Sequence, residues 1–262
     1  MLALQRMLPL CATLIVIAVN AAANLLPING YGTGELSDLN PTGFTPAGWA
    51  FSIWSLIYLG LLTYAVAALG GSERTRARAA SVATPYLVNA AANVGWIFAW
   101  HYRRVELSFA MMLAILGTLT TIYVRLRRQP APSAREFVAV DAPFSLYFGW
   151  ITIATFANLG TVFFARHGYP FAVSMDEWAL VSVSLATAIY VWMGAVTRDL
   201  VYSAVFVWAA PAIAARPTGV SESVRLAALA GAAAVTATMI WAASRRDRGR
   251  TTSWDRPRPP RR

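Results

Sequence analysis

The strongest constraint on this chain is a series of eight apolar blocks, each near the roughly 20 residues that a helix needs to cross a bilayer core. They run from about Met7 to Leu26, Phe44 to Leu69, Ala83 to Tyr102, Val105 to Leu126, Phe137 to Ala165, Trp178 to Val196, Leu200 to Ala215 and Val224 to Ala243. Inside hydrocarbon every backbone amide must bond within its own segment, so such blocks are expected to be helices. They lack the two-residue alternation of a barrel wall. Composition agrees, with 57% hydrophobic and 13% charged residues, against about 45–50% and about 25% in soluble domains. The chain therefore reads as an all-α membrane protein of about eight transmembrane helices. Arg6 and the small residues Ala21 to Ala23 also permit a signal-peptide reading of the first block. Asn20 and Asn24, one turn apart, favour a retained helix.

Arginine sets the expected orientation. All 22 basic residues are Arg, and 17 of them fall on one side of an alternating eight-span path. That side carries Arg6, Arg74 to Arg78, Arg125 to Arg135, Arg198 and the tail from Arg245 to Arg262. The other side holds Arg103, Arg104, Arg166, Arg216 and Arg225. The positive-inside rule then places both termini in the cytoplasm. The tail from residue 245 to 262, rich in Arg and Pro, has too little apolar content to fold alone and reads as a disordered anchor for anionic lipid headgroups. The net charge of +10 is thereby accounted for without nucleic acid.

Several functions are excluded or disfavoured. With no Lys in the chain, a retinal Schiff base is ruled out, because it requires a lysine amine. A lone Cys11 forms no intramolecular disulfide framework. His101 and His167, both at outer helix ends, have no Cys or close carboxylate at ligand spacing, which speaks against a structural metal site. Interfacial solvation is the expected role of His101, with a haem axial role as the alternative. Asp141, near the inner end of the fifth block, is the clearest charge within a span and has Arg135 as its expected partner.

The ten tryptophans and a set of asparagines carry the functional signal. Trp178, Trp241 and Trp254 have the interfacial placement common for this residue. Others form stripes: Asn89, Asn93, Trp96 and Trp100 share one face of the third block, and Tyr147, Trp150, Ala154 and Asn158 one face of the fifth. Under the expected topology, Asn20, Asn24, Asn93, Trp96, Trp100 and Asn158 lie in the outer half, level with Trp49 and Trp54 of the second block. Aromatic walls with a few amides describe a pocket for a flat, apolar ligand. The same residues also suit helix–helix contacts, since Asn bonds across helices in lipid. The Gly-rich segment from Pro27 to Gly43, acidic and without arginine, is long enough to act as a lid or a plain connector.

Three stretches carry a family resemblance. FTPAGWAFSIWSLIYLGLLTYAV (Phe44 to Val66) resembles the second helix of the tryptophan-rich sensory protein family, the TspO/MBR group related to the mitochondrial translocator protein. Pro46, Gly48, Trp49, Phe51 and Trp54 carry the match. NAAANVGWIFAW (Asn89 to Trp100) is similar to that family's third helix, and PFSLYFGWITIATFANL (Pro143 to Leu159) to its fifth, with Trp150 and Asn158 in register. The resemblance spans residues 7 to 165 and implies a five-helix bundle with a pocket beneath the first long loop, in a bacterial inner membrane. It also implies binding of porphyrins or other lipophilic ligands for sensing or transport, and in some members light-dependent porphyrin breakdown. Two departures stand out. The Trp-x-Pro-Pro cluster of porphyrin-binding members is replaced by Phe44, Thr45 and Pro46, and three further helices follow.

The expected organisation is a bundle over residues 1–168, a three-helix module over 169–244 and the tail over 245–262. The module, with Trp192 and Trp208, a kink at Pro211 and a close-packing surface around Ala227 and Gly231, is expected to serve packing or a partner rather than the pocket. The expected ligand site comprises Asn20, Asn24, Trp49, Trp54, Asn89, Asn93, Trp96, Trp100, Tyr147, Trp150 and Asn158. No cofactor is required, and a porphyrin or haem-like molecule is the candidate ligand. Expected partners are the lipid bilayer and a lipophilic small molecule, with homo-oligomers left open. A transporter or channel along the Asn stripe and a porphyrin-degrading enzyme are the rival readings.

Overall fold

A computed structural model describes residues 2–26, 28–166 and 168–251, with side chains between positions 5 and 245. His167, Pro27 and Trp254 lie outside the described residues, as does the end of the tail. Eight long helices form the body: α1 (Leu2–Leu25), α2 (Ile53–Gly70), α3 (Ala83–His101), α4 (Val105–Arg127), α5 (Ala142–Ala165), α6 (Met175–Thr197), α7 (Leu200–Ala214) and α8 (Glu222–Thr251). No strand occurs among the described residues.

Six of these segments are long and apolar enough to cross a membrane. Of the remaining two, α7 is apolar but only 15 residues long, and α3 is diluted by Asn89, Asn93, two Trp and Pro85. Those polar positions of α3 face protein: Asn89 and Asn93 are each 1% exposed. The reverse holds for Leu14, Ile15, Leu56, Leu59, Val88, Leu113, Leu185 and Ile240, large apolar side chains left on the outside. A soluble protein would not expose so much apolar surface, whereas hydrocarbon solvates it. The chain is an all-α, multi-pass membrane protein.

Helix contacts divide the body in two. α1 packs on α2 and α3, α3 on α4, α4 on α5, and α5 back on α2, closing a five-helix ring. α6, α7 and α8 pack on one another, and α7 seats this trio on α5. Close approach within the trio depends on Gly231, where a Cβ would run into Thr187 and Phe206. Helix α7 continues through Pro211.

Several boundaries differ from the sequence reading. The second block does not become helical at Phe44; residues 44–47 are irregular, Gly48–Ser52 forms a 3-10 turn, and the α-helix begins at Ile53. Pro46 disfavours helical backbone at the residue before it. α5 is preceded by a π-helical turn, Phe137–Asp141. α8 reaches Thr251, past the expected start of the tail, because Arg is a good helix former and no Pro occurs between Glu222 and residue 257.

Asp141 pairs with Arg78, not Arg135. The guanidinium is bidentate to the carboxylate, with Nε to Oδ2 at 2.8 Å and Nη2 to Oδ1 at 2.5 Å. It also donates to the carbonyls of Leu126 and Pro130. Arg74 pairs with the buried Glu136 at the same end, and Arg127 donates to the Thr197 carbonyl. Loops that the arginine count assigns to one side thus gather at one end of the bundle, and Asp38 and Arg216 meet at the other.

Candidate functional site

At the Arg216 end, the ring encloses a small cavity. Its wall includes Phe51 and Trp54 from the second block, Trp96 and Trp100 from α3, Met112 from α4, and Trp150, Ile153 and Asn158 from α5. Thr33, Ser37, Thr45 and Pro46 close it from the connecting segment. The aromatic rings are mutually fixed. Trp96 stacks on Trp100 at 5.7 Å and 14°, and Phe51 meets the edge of Trp150 at 5.6 Å and 82°. Trp54 contacts both Tyr58 and Tyr147. Trp96 Nε1 is buried and has no hydrogen-bond partner.

The expected site residues separate into two groups. Trp54, Trp96, Trp100, Trp150 and Asn158 line the cavity. Asn20, Asn89 and Asn93 are instead engaged between helices. Asn20 Nδ2 donates to Asn93 Oδ1, and Asn93 Nδ2 to the Tyr147 hydroxyl, both at 2.9 Å, tying α1, α3 and α5 together. Asn89 donates to the Ile115 carbonyl and the Thr118 hydroxyl of α4. Asn158 serves both purposes, donating to Ser108 Oγ at 3.2 Å while facing the cavity. Asn24 donates to the Asn20 carbonyl of its own helix. Trp49 stands apart from the cavity: it is 49% exposed and packs edge-on against Trp208 of α7 at 4.9 Å.

The free volume is about 50 Å³, whereas pockets for drug-sized ligands have about 300–1,000 Å³. A tetrapyrrole macrocycle does not fit between the rings at their present spacing. Among the described residues, no group of three or more His, Cys, Asp and Glu is placed to hold a metal ion.

The segment from Ile28 to Ala47 forms the cover. A short helix, Thr33–Asp38, lies over the cavity, its first turn closed by Glu35 accepting from the Gly32 amide at 2.8 Å. His101 pins one side of the cover. Its ring is fully buried, with Nδ1 3.2 Å from the Ile28 carbonyl and Nε2 3.0 Å from the Thr33 hydroxyl. A carbonyl only accepts, so Nδ1 carries a proton, and Nε2 is engaged with the Thr33 hydroxyl. Asn29 Nδ2 donates to the His101 carbonyl, and Trp100 Nε1 to that of Thr33. The expectation that His101 is solvated at the interface is therefore corrected: its ring is satisfied by the cover and leaves no nitrogen free for an axial bond.

The three-helix module holds the other side. No residue beyond Thr161 lines the cavity, yet the module bonds to the cover repeatedly. The Ala47 amide donates to the Ala212 carbonyl at 2.9 Å, using one of the acceptors left open at the end of α7. Trp208 Nε1 donates to Ala50. Arg216, 5% exposed, reaches the Thr45 and Ser37 carbonyls and Asp38. Burial lowers the pKa of its guanidinium, and Asp38 opposes that effect. Gly43, at φ +68°, sits so close to Ala179 of α6 that a Cβ would collide with it.

His101 and Arg216 were not among the expected site residues. Arg216 had a legible signal, since it is one of few arginines on the side that carries the acidic connecting segment. The pinning role of His101 had none, because its partners are a backbone carbonyl and a threonine distant in sequence.

No curated protein and no solved structure matches the chain. A family model described as TSPO-like protein matches residues 6–241, a span that takes in all three helices of the module as well as the five-helix ring. The chain therefore belongs to the TSPO-like protein family.

Proposed function

We propose that the Trp-ringed cavity binds a flat, lipophilic molecule for sensing or translocation, and that the ligand is admitted by displacement of the Ile28–Ala47 cover. The observation that carries this reading is the convergence of Trp54, Trp96, Trp100 and Trp150 from three different elements around one cavity. Aromatic faces bury large area against a planar ligand and add about 0.5–1.5 kcal/mol per ring pair beyond that burial. The unpartnered Trp96 Nε1 favours a ligand with a hydrogen-bond acceptor. A tetrapyrrole is the class that the family resemblance implies, and it demands the widest opening.

A channel along the asparagine stripe has less support. Asn20, Asn89 and Asn93 already spend their amides on neighbouring helices. In this reading the arginine-rich end, with both termini, faces the cytoplasm of a bacterial inner membrane, and the cavity lies near the opposite face.

Titration of the detergent-extracted protein with protoporphyrin IX, followed by quenching of tryptophan fluorescence, tests the proposal. Saturable quenching is the expected outcome. Loss of the porphyrin spectrum on illumination, dependent on the protein, favours an enzyme. Protein-dependent flux into liposomes favours translocation over sensing. Linear, non-saturating quenching with porphyrin and with smaller planar lipophiles contradicts the proposal.

A further inference from the structure

The sequence reading sets the three-helix module aside from the pocket, and the geometry of Arg216 points the other way. This residue lies between α7 and α8, its side chain directed into the contact between module and cover. One guanidinium nitrogen donates to the Thr45 carbonyl at 3.3 Å; another donates to Asp38 Oδ1 at 3.0 Å and to the Ser37 carbonyl at 3.4 Å. Thr45 and Ser37 both line the cavity. Arg216 is itself held in place. Its backbone carbonyl accepts from Arg225 Nη2 at 3.0 Å, and Arg225 Nη1 donates to the Ala214 carbonyl at 2.6 Å. A relay thus runs from α8 through two arginines to the cavity rim.

We infer that Arg216 is a positioning residue through which the three-helix module holds the cover closed and sets access to the cavity. The guanidinium suits this role because its planar fork engages a carboxylate and two carbonyls at once, which an ammonium does not match geometrically. Asp38 is 76% exposed on its side chain while Arg216 is 6% exposed. The cover's half of the contact is therefore free to leave into solvent, and the module's half is fixed. His101 makes the opposite tether from inside the five-helix ring, and the Ala47 amide stays bonded to Ala212, so releasing Arg216 should let the Ser37–Asp38 part of the cover lift while both ends stay attached.

The inference concerns access to the cavity, and its bearing on function rests on the ligand reading above. It is tested without any ligand, so the two can fail separately. Thr161 lines the cavity and is 3% exposed. In a Cys11→Ser background, Thr161→Cys supplies a single thiol whose reaction with a small methanethiosulfonate reagent reports access. Adding Arg216→Gln should raise the labelling rate tenfold or more, and adding Asp38→Asn should raise it about threefold, since the two carbonyl contacts remain. Arg216→Lys should fall near Arg216→Gln. If Arg216→Gln fails to fold, the exposed Asp38→Asn decides the question. Unchanged labelling in the folded variants would reduce Arg216 to a packing anchor and overturn the inference.

Discussion

At the scale of single residues, the asparagine–tryptophan stripe of α3 performs two separate jobs. Its amides bond to other helices, and its indoles face a cavity. Asn93 makes two interhelical hydrogen bonds, and such bonds in membranes average about 0.6 kcal/mol each. Asn93→Ala should lower stability by about 1–2 kcal/mol without ligand, read as a shift in thermal melting, and Tyr147→Phe by roughly half as much. An unchanged melting curve for Asn93→Ala would remove it from the set of helix-joining residues. The Arg78–Asp141 pair invites a sharper test. The two side chains are only 5% and 13% exposed, and removing one partner of a buried pair costs about 3–5 kcal/mol because the other charge is stranded. Arg78→Met should destabilise by that order, and adding Asp141→Leu should recover most of the loss. A single variant as stable as the parent would contradict the assignment.

At the scale of elements, hydropathy located all eight helices because lipid imposes a length and an apolar surface on each. Less legible were the places where tertiary contact overrides local preference. Residues 44–47 look like the start of a span, yet they form the irregular end of the cover, bonded to α7. Asp141 has Arg135 nearer in sequence, but Arg78 reaches it from a short helix, Glu73–Ala80, between α2 and α3. The cavity's aromatic wall followed from helical spacing, since Trp96 and Trp100 lie one turn apart. Trp49 was misplaced by the same logic, because the 3-10 turn at Gly48–Ser52 directs it toward Trp208. Packing within the module hinges on Gly231, where an added side chain meets Thr187 and Phe206. Gly231→Val should therefore cost about 1–3 kcal/mol through overpacking, measurable as a lower melting temperature. Tolerance of valine there would mean that α8 docks more loosely than its contacts indicate.

At the scale of the whole molecule, two bodies share one cavity. The five-helix ring supplies its wall, and the module fastens its cover. The family match likewise covers residues 6–241, across both bodies. The proposed orientation of the site can be tested at this scale. With the arginine-rich end inside, a cysteine placed at Ser72 in a Cys11→Ser background should resist an impermeant reagent in intact cells and react after permeabilisation. Reaction in intact cells would invert the topology.

The aromatic wall around Trp96 is the proposed ligand site. Its most direct test compares protoporphyrin IX affinity in Trp96→Ala, Trp241→Ala and the parent, each paired with a melting curve. Trp241 contacts Arg198 and Arg245, remote from the cavity. Trp96→Ala should weaken binding tenfold or more, equivalent to about 1.4 kcal/mol, while Trp241→Ala leaves affinity unchanged. Equal affinity in Trp96→Ala and the parent, with both proteins folded, would mean that the aromatic wall is not where the ligand binds.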